Sequence, residues 1–276
     1  MSERGNAMGA FLYIQRGRTA FIFFCLAAIT VMMPLQAADI PVVICIDDNY
    51  SPYCYRSDGR IVGIYPDILA KLLPRIHGYA VKLEPVAWTR GIKLVKSGNA
   101  FGIIPPYKRK AERSYMGYSL PILEERIVCV SRKDAFRHGV KFPEGFGKLR
   151  IGINSGFLSI RPQDRTGLNI IESYGARVNL LNLARGNLDC YINDELAIGY
   201  ELGLLRRSGE YRDGRDPEIV TCAELSREEI YLGYTTAYPD RFAFSADFMT
   251  KFNRALEEMK SRGEIREIVA RYSVKK

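Results

Sequence analysis

Residues 42–46 read Val42-Val43-Ile44-Cys45-Ile46, a short apolar run rich in β-branched side chains. Such a run predicts a buried strand. A loop with a turn signal follows, and Pro66 then opens a segment with apolar side chains at helical spacing, ended by Gly78. The order of strand, loop and helix therefore predicts an α/β protein with a mostly parallel sheet.

The rest of the chain continues this alternation. We expect strands over 80–85, 101–104, 127–130 and 149–154, and helices over 89–97, 196–205, 246–262 and 265–272. Between them, we interpret 168–174 as a helix and 177–181 as a strand. The helix over 246–262 has the clearest buried face, because its large apolar side chains recur at steps of four, four and three: Phe248, Phe252, Leu256 and Met259.

The first 37 residues have the pattern of a secretory leader. Three arginines precede an apolar run over 20–33, and Leu35 and Ala37 fit the positions before a cleavage site. We therefore expect a signal peptide over 1–37, cleaved after Ala37, and a mature protein in the periplasm. An uncleaved anchor helix is the alternative, and a start at either Met1 or Met8 fits the pattern.

Composition excludes several kinds of site. The 276 residues include only two histidines, His77 and His138, which argues against histidine-based metal sites and Ser-His-Asp catalysis. The formal charge of +9 is not gathered into an aromatic, basic cluster, and no phosphate-binding loop occurs. We therefore expect no nucleic-acid partner, no cofactor and no metal.

The chain after the leader contains five cysteines: Cys45, Cys54, Cys129, Cys190 and Cys222. No two have the Cys-x-x-Cys spacing, which argues against zinc. An odd number in an oxidising compartment leaves at least one thiol unpaired within the chain. The pairing stays open, with Cys190–Cys222 as one candidate bridge.

Two pairs of acids are adjacent in sequence, Glu124–Glu125 and Glu228–Glu229. Neighbouring side chains of a strand point to opposite faces, so neither pair forms a ready two-carboxylate site. We interpret both pairs as exposed surface charge.

From Pro41 to Tyr272 the chain resembles the family 3 extracellular solute-binding proteins. Five segments match that family's motifs in order: residues 47–53 (its Asp-x-x-Tyr-x-Pro-Phe loop), 58–68 (its entry into the first helix), 111–122 (its Pro-Glu-Arg and Phe-Ser motifs), 186–194 (its second-lobe segment) and 263–272 (its ending). Each motif alone is weak, whereas five in register over about 230 residues behind a leader are specific.

The resemblance implies a two-lobed periplasmic binding protein fold of type II, with two crossover strands at the hinge. Lobe one would comprise 38–127 plus 232–276, and lobe two 128–231. A small ligand would bind in the cleft, and the lobes of a monomer would close on it by hinge motion.

The resemblance also assigns site residues. Arg113 matches the family's arginine for a ligand carboxylate, and Asp194 its aspartate for a ligand ammonium. Asp47 and Tyr50 fall at side-chain contacts, and Trp88 at a pocket wall. From the residues alone other roles are open: a surface arginine for Arg113, a strand-end cap for Asp194, and core positions for Tyr50 and Trp88.

Two segments depart from the family pattern. Small hydroxyl residues usually precede the arginine, whereas this chain has Pro105-Pro106-Tyr107-Lys108. At the second-lobe helix start, where a hydroxyl and an amide usually meet the ligand carboxylate, Phe157 follows Gly156. Phe157 is thus a candidate ligand contact that donates no side-chain hydrogen bond, which leaves the ligand's pose and class open.

Three functions follow from this resemblance. The first is a receptor that captures an amino acid or related zwitterionic or carboxylate-bearing ligand and delivers it to an inner-membrane permease of an ABC transporter. The second is a periplasmic sensor or accessory protein without a transporter. The third is a cyclohexadienyl dehydratase-like enzyme on the same fold. We expect the first, without enzyme activity.

The leader yields a direct prediction. Expression of the full chain with export should give a protein that begins at Ala38, because Leu35 and Ala37 satisfy the cleavage rule. Intact mass of the exported protein measures this, and a mass that retains residues 20–33 would support the anchor interpretation instead.

Overall fold

The computed structural model describes residues 38–135 and 141–272. Its strands are β1 (Ile40–Asp47), β2 (Asn49–Tyr50), β3 (Cys54–Ser57), β4 (Arg60–Val62), β5 (Tyr79–Val86), β6 (Gly102–Ile104), β7 (Met116–Tyr118), β8 (Leu123–Arg132), β9 (Arg150–Asn154), β10 (Asn169–Ser173), β11 (Cys190–Asp194), β12 (Ile219–Ile230) and β13 (Gly233–Thr235). Its α-helices are α1 (Ile64–Leu72), α2 (Trp88–Lys96), α3 (Ala176–Ala184), α4 (Glu195–Ser208), α5 (Ser245–Ser261) and α6 (Glu264–Tyr272). Short 3₁₀ turns cover Leu73–Arg75, Glu144–Phe146 and Pro162–Arg165.

Two five-stranded sheets with the same plan form the centres of two lobes. The first has the order β5-β1-β6-β13-β7, and the second has the order β10-β9-β11-β8-β12. In each sheet three neighbouring strands are parallel, and the remaining strands pair antiparallel. The sheets confirm the predicted α/β class, but the expectation of mostly parallel strands is wrong, because only two of the four pairings in each sheet are parallel.

The chain passes between the two sheets along β8 and β12. These long strands pair antiparallel from Leu123 opposite Ile230 to Arg132 opposite Ile219. β7 precedes β8 and β13 follows β12, and both belong to the first sheet. Two register shifts, between Thr221 and Ala223 and between Glu224 and Ser226, interrupt the pairing. Such bulges bend a strand locally, so β12 bends within the connection between the lobes.

The predicted helical faces are buried as expected. The four apolar side chains of α5 that recur at steps of four, four and three are all inaccessible to solvent. In α1 the buried positions are Ile64, Tyr65, Ile68, Leu69 and Leu72. Both helices contact one another, so hydrophobic burial fixes the packing of the first lobe.

The interpretation of residues 168–181 is wrong. The structure has a strand at 169–173 and a helix at 176–184, the reverse of the expected order. Gly175 separates the two elements with a φ of 85°, and Leu180 and Leu183 then share a buried helical face. The parallel pairing of β10 with β9 decides the outcome, because it satisfies the strand's backbone groups across the sheet.

The candidate bridge between Cys190 and Cys222 is not formed, and all five cysteines of the described residues are free thiols. Cys190 lies on β11 and Cys222 on β12, with β8 between them. Two strand spacings separate the backbones by about 9–10 Å, whereas a disulfide needs Cα atoms within about 7 Å.

The predicted leader, its two possible starts and the cleavage site lie outside the described residues. Within 38–135 and 141–272 no helix has the length and apolar character needed to cross a membrane.

The loop between β2 and β3 is hydrogen-bonded to the first turn of α1. The amides of Ile64 and Tyr65 donate to the carbonyls of Pro52 and Tyr53 at 3.0 and 2.9 Å. Gly63 makes this approach possible, because it has a φ of 124°, and a Cβ there would lie 2.6 Å from the Pro52 oxygen. This glycine therefore positions a loop that reaches the interface between the lobes.

We predict that Gly63→Ala destabilises the protein by about 2 kcal/mol or more, because it combines backbone strain of about 1–3 kcal/mol with a backbone clash. Gly59→Ala is the matched control: Gly59 also has a positive φ, 74°, but no atom lies within 4 Å of its Cβ position. It should therefore lose only about 1 kcal/mol. Urea unfolding of both variants measures the difference, and equal losses would show that the clash is absent.

Candidate functional site between the lobes

The lobes meet through an aromatic contact at the carboxyl ends of their parallel strands. Phe157 follows β9 of lobe two and contacts two rings of lobe one, Tyr50 edge-on at a centroid distance of 5.0 Å and Trp88 at 5.8 Å. The indole Nε1 of Trp88 donates to the Gly156 carbonyl at 3.1 Å. Phe157 therefore occupies the space between the lobes where the sequence placed a ligand.

The segment around Phe157 is not the start of an α-helix. The Phe157 amide donates to the Asn154 carbonyl at 3.0 Å in a turn, and the next helical residues are the 3₁₀ turn beginning at Pro162. The helix-terminus geometry that commonly holds an anion is thus missing at this point of the described chain. A ligand carboxylate depends on another partner.

Arg113 is a buried cation beside this contact, with 6% of its surface exposed. Its guanidinium carbon lies 5.5 Å from the centroid of the Trp88 ring, a cation–π arrangement. The single described hydrogen bond of the guanidinium is long: Nη1 donates to the Tyr107 carbonyl at 3.5 Å. Burial lowers the pKa of the Arg113 guanidinium. Among the described residues we find no carboxylate in an ion pair with it.

Two cavities adjoin the aromatic contact. The one beside Arg113 has a volume of about 10 Å³, and its lining includes Tyr107 and Leu158. The other has about 150 Å³, and its lining includes Asp47, Asn154 and Tyr174. The rings of Trp88 and Phe157 line both and therefore form the wall between them.

Asp47 is the buried carboxyl of the larger cavity. It ends β1, is 3% exposed, and accepts from the Asn49 amide at 3.1 Å. Burial raises its pKa to about 7. Asn154 lines the same cavity, and its buried Nδ2 has no hydrogen-bond partner. Both groups offer polar contacts to a molecule in the cavity.

Asp194 caps a helix and does not line either of these two cavities. Its Oδ1 accepts from the amide of Ala197 and the hydroxyl of Tyr53, both at 2.9 Å, and its Oδ2 accepts from the amide of Arg126 at 3.1 Å. Burial raises its pKa to about 6. Neither of the two cavities is lined by both Arg113 and Asp194. The capping role that the sequence left open is present.

Tyr50 contributes its ring to the contact and its hydroxyl to a buried carboxyl. The carboxyl is that of Glu125, which accepts from Tyr50 at 2.7 Å, Tyr107 at 2.9 Å and Tyr65 at 3.2 Å. Burial holds the pKa of Glu125 well above its usual range. The interpretation of Glu125 as surface charge is wrong, since only 1% of it is exposed.

In the second acid pair, too, one side chain is buried and the other is exposed. Glu228 is buried and pairs with Arg109 at 2.9 Å, whereas Glu229 is exposed. Adjacent residues of a strand point to opposite faces, and in each pair the structure turns one member inward. Only the neighbouring tyrosines and arginine decide that a carboxyl is tolerated there.

Comparison with known proteins fits this architecture. The family of bacterial extracellular solute-binding proteins, family 3, matches residues 42–275. The chain belongs to this family. Its two lobes, each with its own sheet and joined by β8 and β12, confirm the two-lobed fold implied by the sequence motifs.

Three relatives illustrate what this family member is similar to. The arginine-binding extracellular protein ArtP of Bacillus subtilis is 22% identical over 227 residues, which are 80% of this chain and 81% of ArtP. A histidine kinase sensor domain with similarity to periplasmic binding proteins superposes with a TM-score of 0.71 at 14% identity, over 86% of this chain and 97% of that one. The ancestral amino acid-binding protein AncCDT-1, a precursor of cyclohexadienyl dehydratase, has a TM-score of 0.67 at 15% identity, over 84% and 95%. At these identities the structures share the fold.

Asp47 yields a prediction on stability. Its pKa rises from 3.8 to about 7 on folding, so its stabilising contribution is complete at low pH and is lost as the pH rises to about 7. At about 1.4 kcal/mol per pKa unit, the free energy of unfolding should fall by about 4 kcal/mol over that range through this group.

Asp47→Asn should remove this fall, because the amide is neutral at every pH and keeps the acceptor for Asn49. The adjacent Asp48→Asn should retain it. Urea unfolding in small pH steps measures both slopes, and an unchanged slope in Asp47→Asn would show that this carboxyl ionises normally in the folded protein.

Proposed function

We propose that this protein is a periplasmic receptor for a small amino acid-like ligand, with Arg113 as the partner of the ligand carboxylate. The carrying observation is a buried guanidinium that lies at the lobe interface and has no described carboxylate partner. Burying a charge is unfavourable unless it is paired, so an anionic ligand would supply the missing partner. A planar guanidinium can meet both carboxylate oxygens at once.

Binding at Arg113 from the cleft requires movement of the lobes. There the cavity beside the guanidinium has about 10 Å³, the space of about one water molecule. A carboxylate in the cleft reaches Arg113 only when Phe157 withdraws from Trp88 and Tyr50. Bending of β8 and β12 at their bulges supplies that movement, and the lobes would then close on the ligand with Phe157 resting against it. Arg113 also lines a separate cavity of about 470 Å³ with Lys108 and Tyr118.

We place the ligand's ammonium group at Asp47 rather than at Asp194. Asp194 already accepts from the hydroxyl of Tyr53 and from two amides, whereas Asp47 accepts only from backbone amides of its own loop and lines the cavity of about 150 Å³. The unpartnered Nδ2 of Asn154 would donate to an oxygen of the ligand. The clamp of Arg113 with Asp194 that the sequence motifs imply stays the competing assignment.

The family and the expected leader support proposals on the protein's location, oligomeric state and partner. We propose secretion with cleavage after Ala37, action as a monomer, and delivery of the ligand to an inner-membrane permease of an ABC transporter. The division into lobes at 38–127 plus 232–276 and 128–231 is part of the same proposal.

A sensor without a transporter is the second candidate, favoured by the likeness to a histidine kinase sensor domain. Both candidates share the ligand site, so binding data do not separate them. Deletion of the gene separates the two candidates. Loss of ligand uptake supports the receptor for transport, and normal uptake with a changed transcriptional response supports the sensor.

The ligand site itself is tested by calorimetry, after a thermal-shift screen of amino acids, polyamines and small carboxylates has supplied a binder. Arg113→Lys keeps the charge but loses the planar fork, so affinity should fall at least tenfold, about 1.4 kcal/mol. Normal affinity in this variant would mean that the carboxylate binds elsewhere.

Asp47→Asn should weaken an amino acid far more than its deaminated analogue, because only the amino acid carries the ammonium. Asp194→Asn is the matched comparison and should affect both molecules equally, since it perturbs a helix cap. The reverse pattern would assign the ammonium to Asp194 and overturn the assignment to Asp47.

A further inference from the structure

Three cysteines lie on three neighbouring strands of the second sheet. Cys129 is on β8, in the middle, with Cys190 on β11 at one side and Cys222 on β12 at the other. Cys129 is opposite Ile192 on β11 and opposite Ala223 on β12, the residue after Cys222. The register shift between Thr221 and Ala223 makes Cys222 the extra residue of a bulge.

The bulge turns Cys222 toward Cys129. The Cys222 thiol donates to the Cys129 carbonyl at 3.3 Å, and it also shares a hydrogen bond with the Cys129 thiol. Cys129 makes a second thiol contact with Cys190. Cys129 is thus the common neighbour, whereas Cys190 and Cys222 are separated by the width of β8.

The three thiols differ in accessibility. Cys129 and Cys190 are fully buried, but Cys222 is partly exposed. Hydrogen bonds from Cys129 and Ser131 stabilise the Cys222 thiolate and lower the pKa of Cys222 to about 7. The contacts of Cys129 with Cys190 and Cys222, together with burial, raise the pKa of Cys129. An accessible thiolate beside a buried thiol is the arrangement of an attacking and a resolving cysteine.

We propose that Cys222 and Cys129 form a cross-strand disulfide by exchange with an external disulfide such as oxidised glutathione. The Cys222 thiolate attacks one sulfur of the external disulfide, forms a mixed disulfide and releases one glutathione thiolate, which takes up a proton. Cys129 then loses its proton and attacks the Cys222 sulfur, and the second glutathione leaves as a thiol. Two electrons pass from the two cysteines to the external disulfide.

A metal site does not account for the cluster, since no group of three or more metal-ligating side chains with suitable placement occurs among the described residues. The bond would join β8 to β12, the two strands that connect the lobes. Its formation is independent of the proposed ligand, and the test below requires no ligand.

The experiment treats the reduced full chain with oxidised glutathione, quenches it with acid, alkylates the denatured protein and maps peptides without reduction. We expect linked peptides containing Cys129 and Cys222, with a loss of two hydrogen atoms in mass. Cys45 and Cys54, buried in the first lobe, should stay alkylated in the same sample and serve as internal controls.

Variants separate the roles of the thiols. Cys190→Ser should leave the linked peptides at wild-type yield, whereas Cys222→Ser should abolish them. A link between Cys190 and Cys222, a mixed disulfide that persists at Cys222, or full alkylation of Cys129 and Cys222 in the wild-type protein would each overturn the proposal. The wild-type map does not depend on the folding of any variant.

Discussion

The burial of the Glu125 carboxyl constrains the whole region between the lobes. A carboxyl group without partners is unfavourable in a protein interior, so three tyrosine hydroxyls from the first lobe converge on it. Since Glu125 lies on β8, this network fixes the position of a connecting strand relative to the first lobe. Burial raises the pKa of Glu125 well above its usual range, because a charged carboxylate is unfavourable in the interior.

The same network determines the shape of the ligand cleft. The hydroxyl of Tyr50 is held by Glu125, so the edge of its ring is presented to Phe157 of the second lobe. Phe157 in turn reaches Trp88, against which Arg113 lies. A buried hydrogen-bond network therefore leads, through three aromatic rings, to a buried cation.

In the candidate site, the motifs indicate the positions of residues but not their hydrogen bonds. Asp47, Tyr50, Trp88, Arg113 and Phe157 lie around two adjoining cavities, because they follow strands whose carboxyl ends meet between the lobes. Matching a motif does not reveal which hydrogen bonds a side chain makes. The carboxylate of Asp194 has the expected place at the end of β11, but three donors from other parts of the chain already surround it.

The sequence by itself determined the α/β class, the family, and the buried faces of α1 and α5. The class and the buried faces depend on local periodicity, which a window of a dozen residues contains. The family depends on five motifs in register along the chain. Only the tertiary structure decided that residues 169–173 form a strand, that Glu125 turns inward, and that Cys129 lies between Cys190 and Cys222. Each of these outcomes depends on which strands become neighbours, and strand order is set by contacts between residues far apart in the chain.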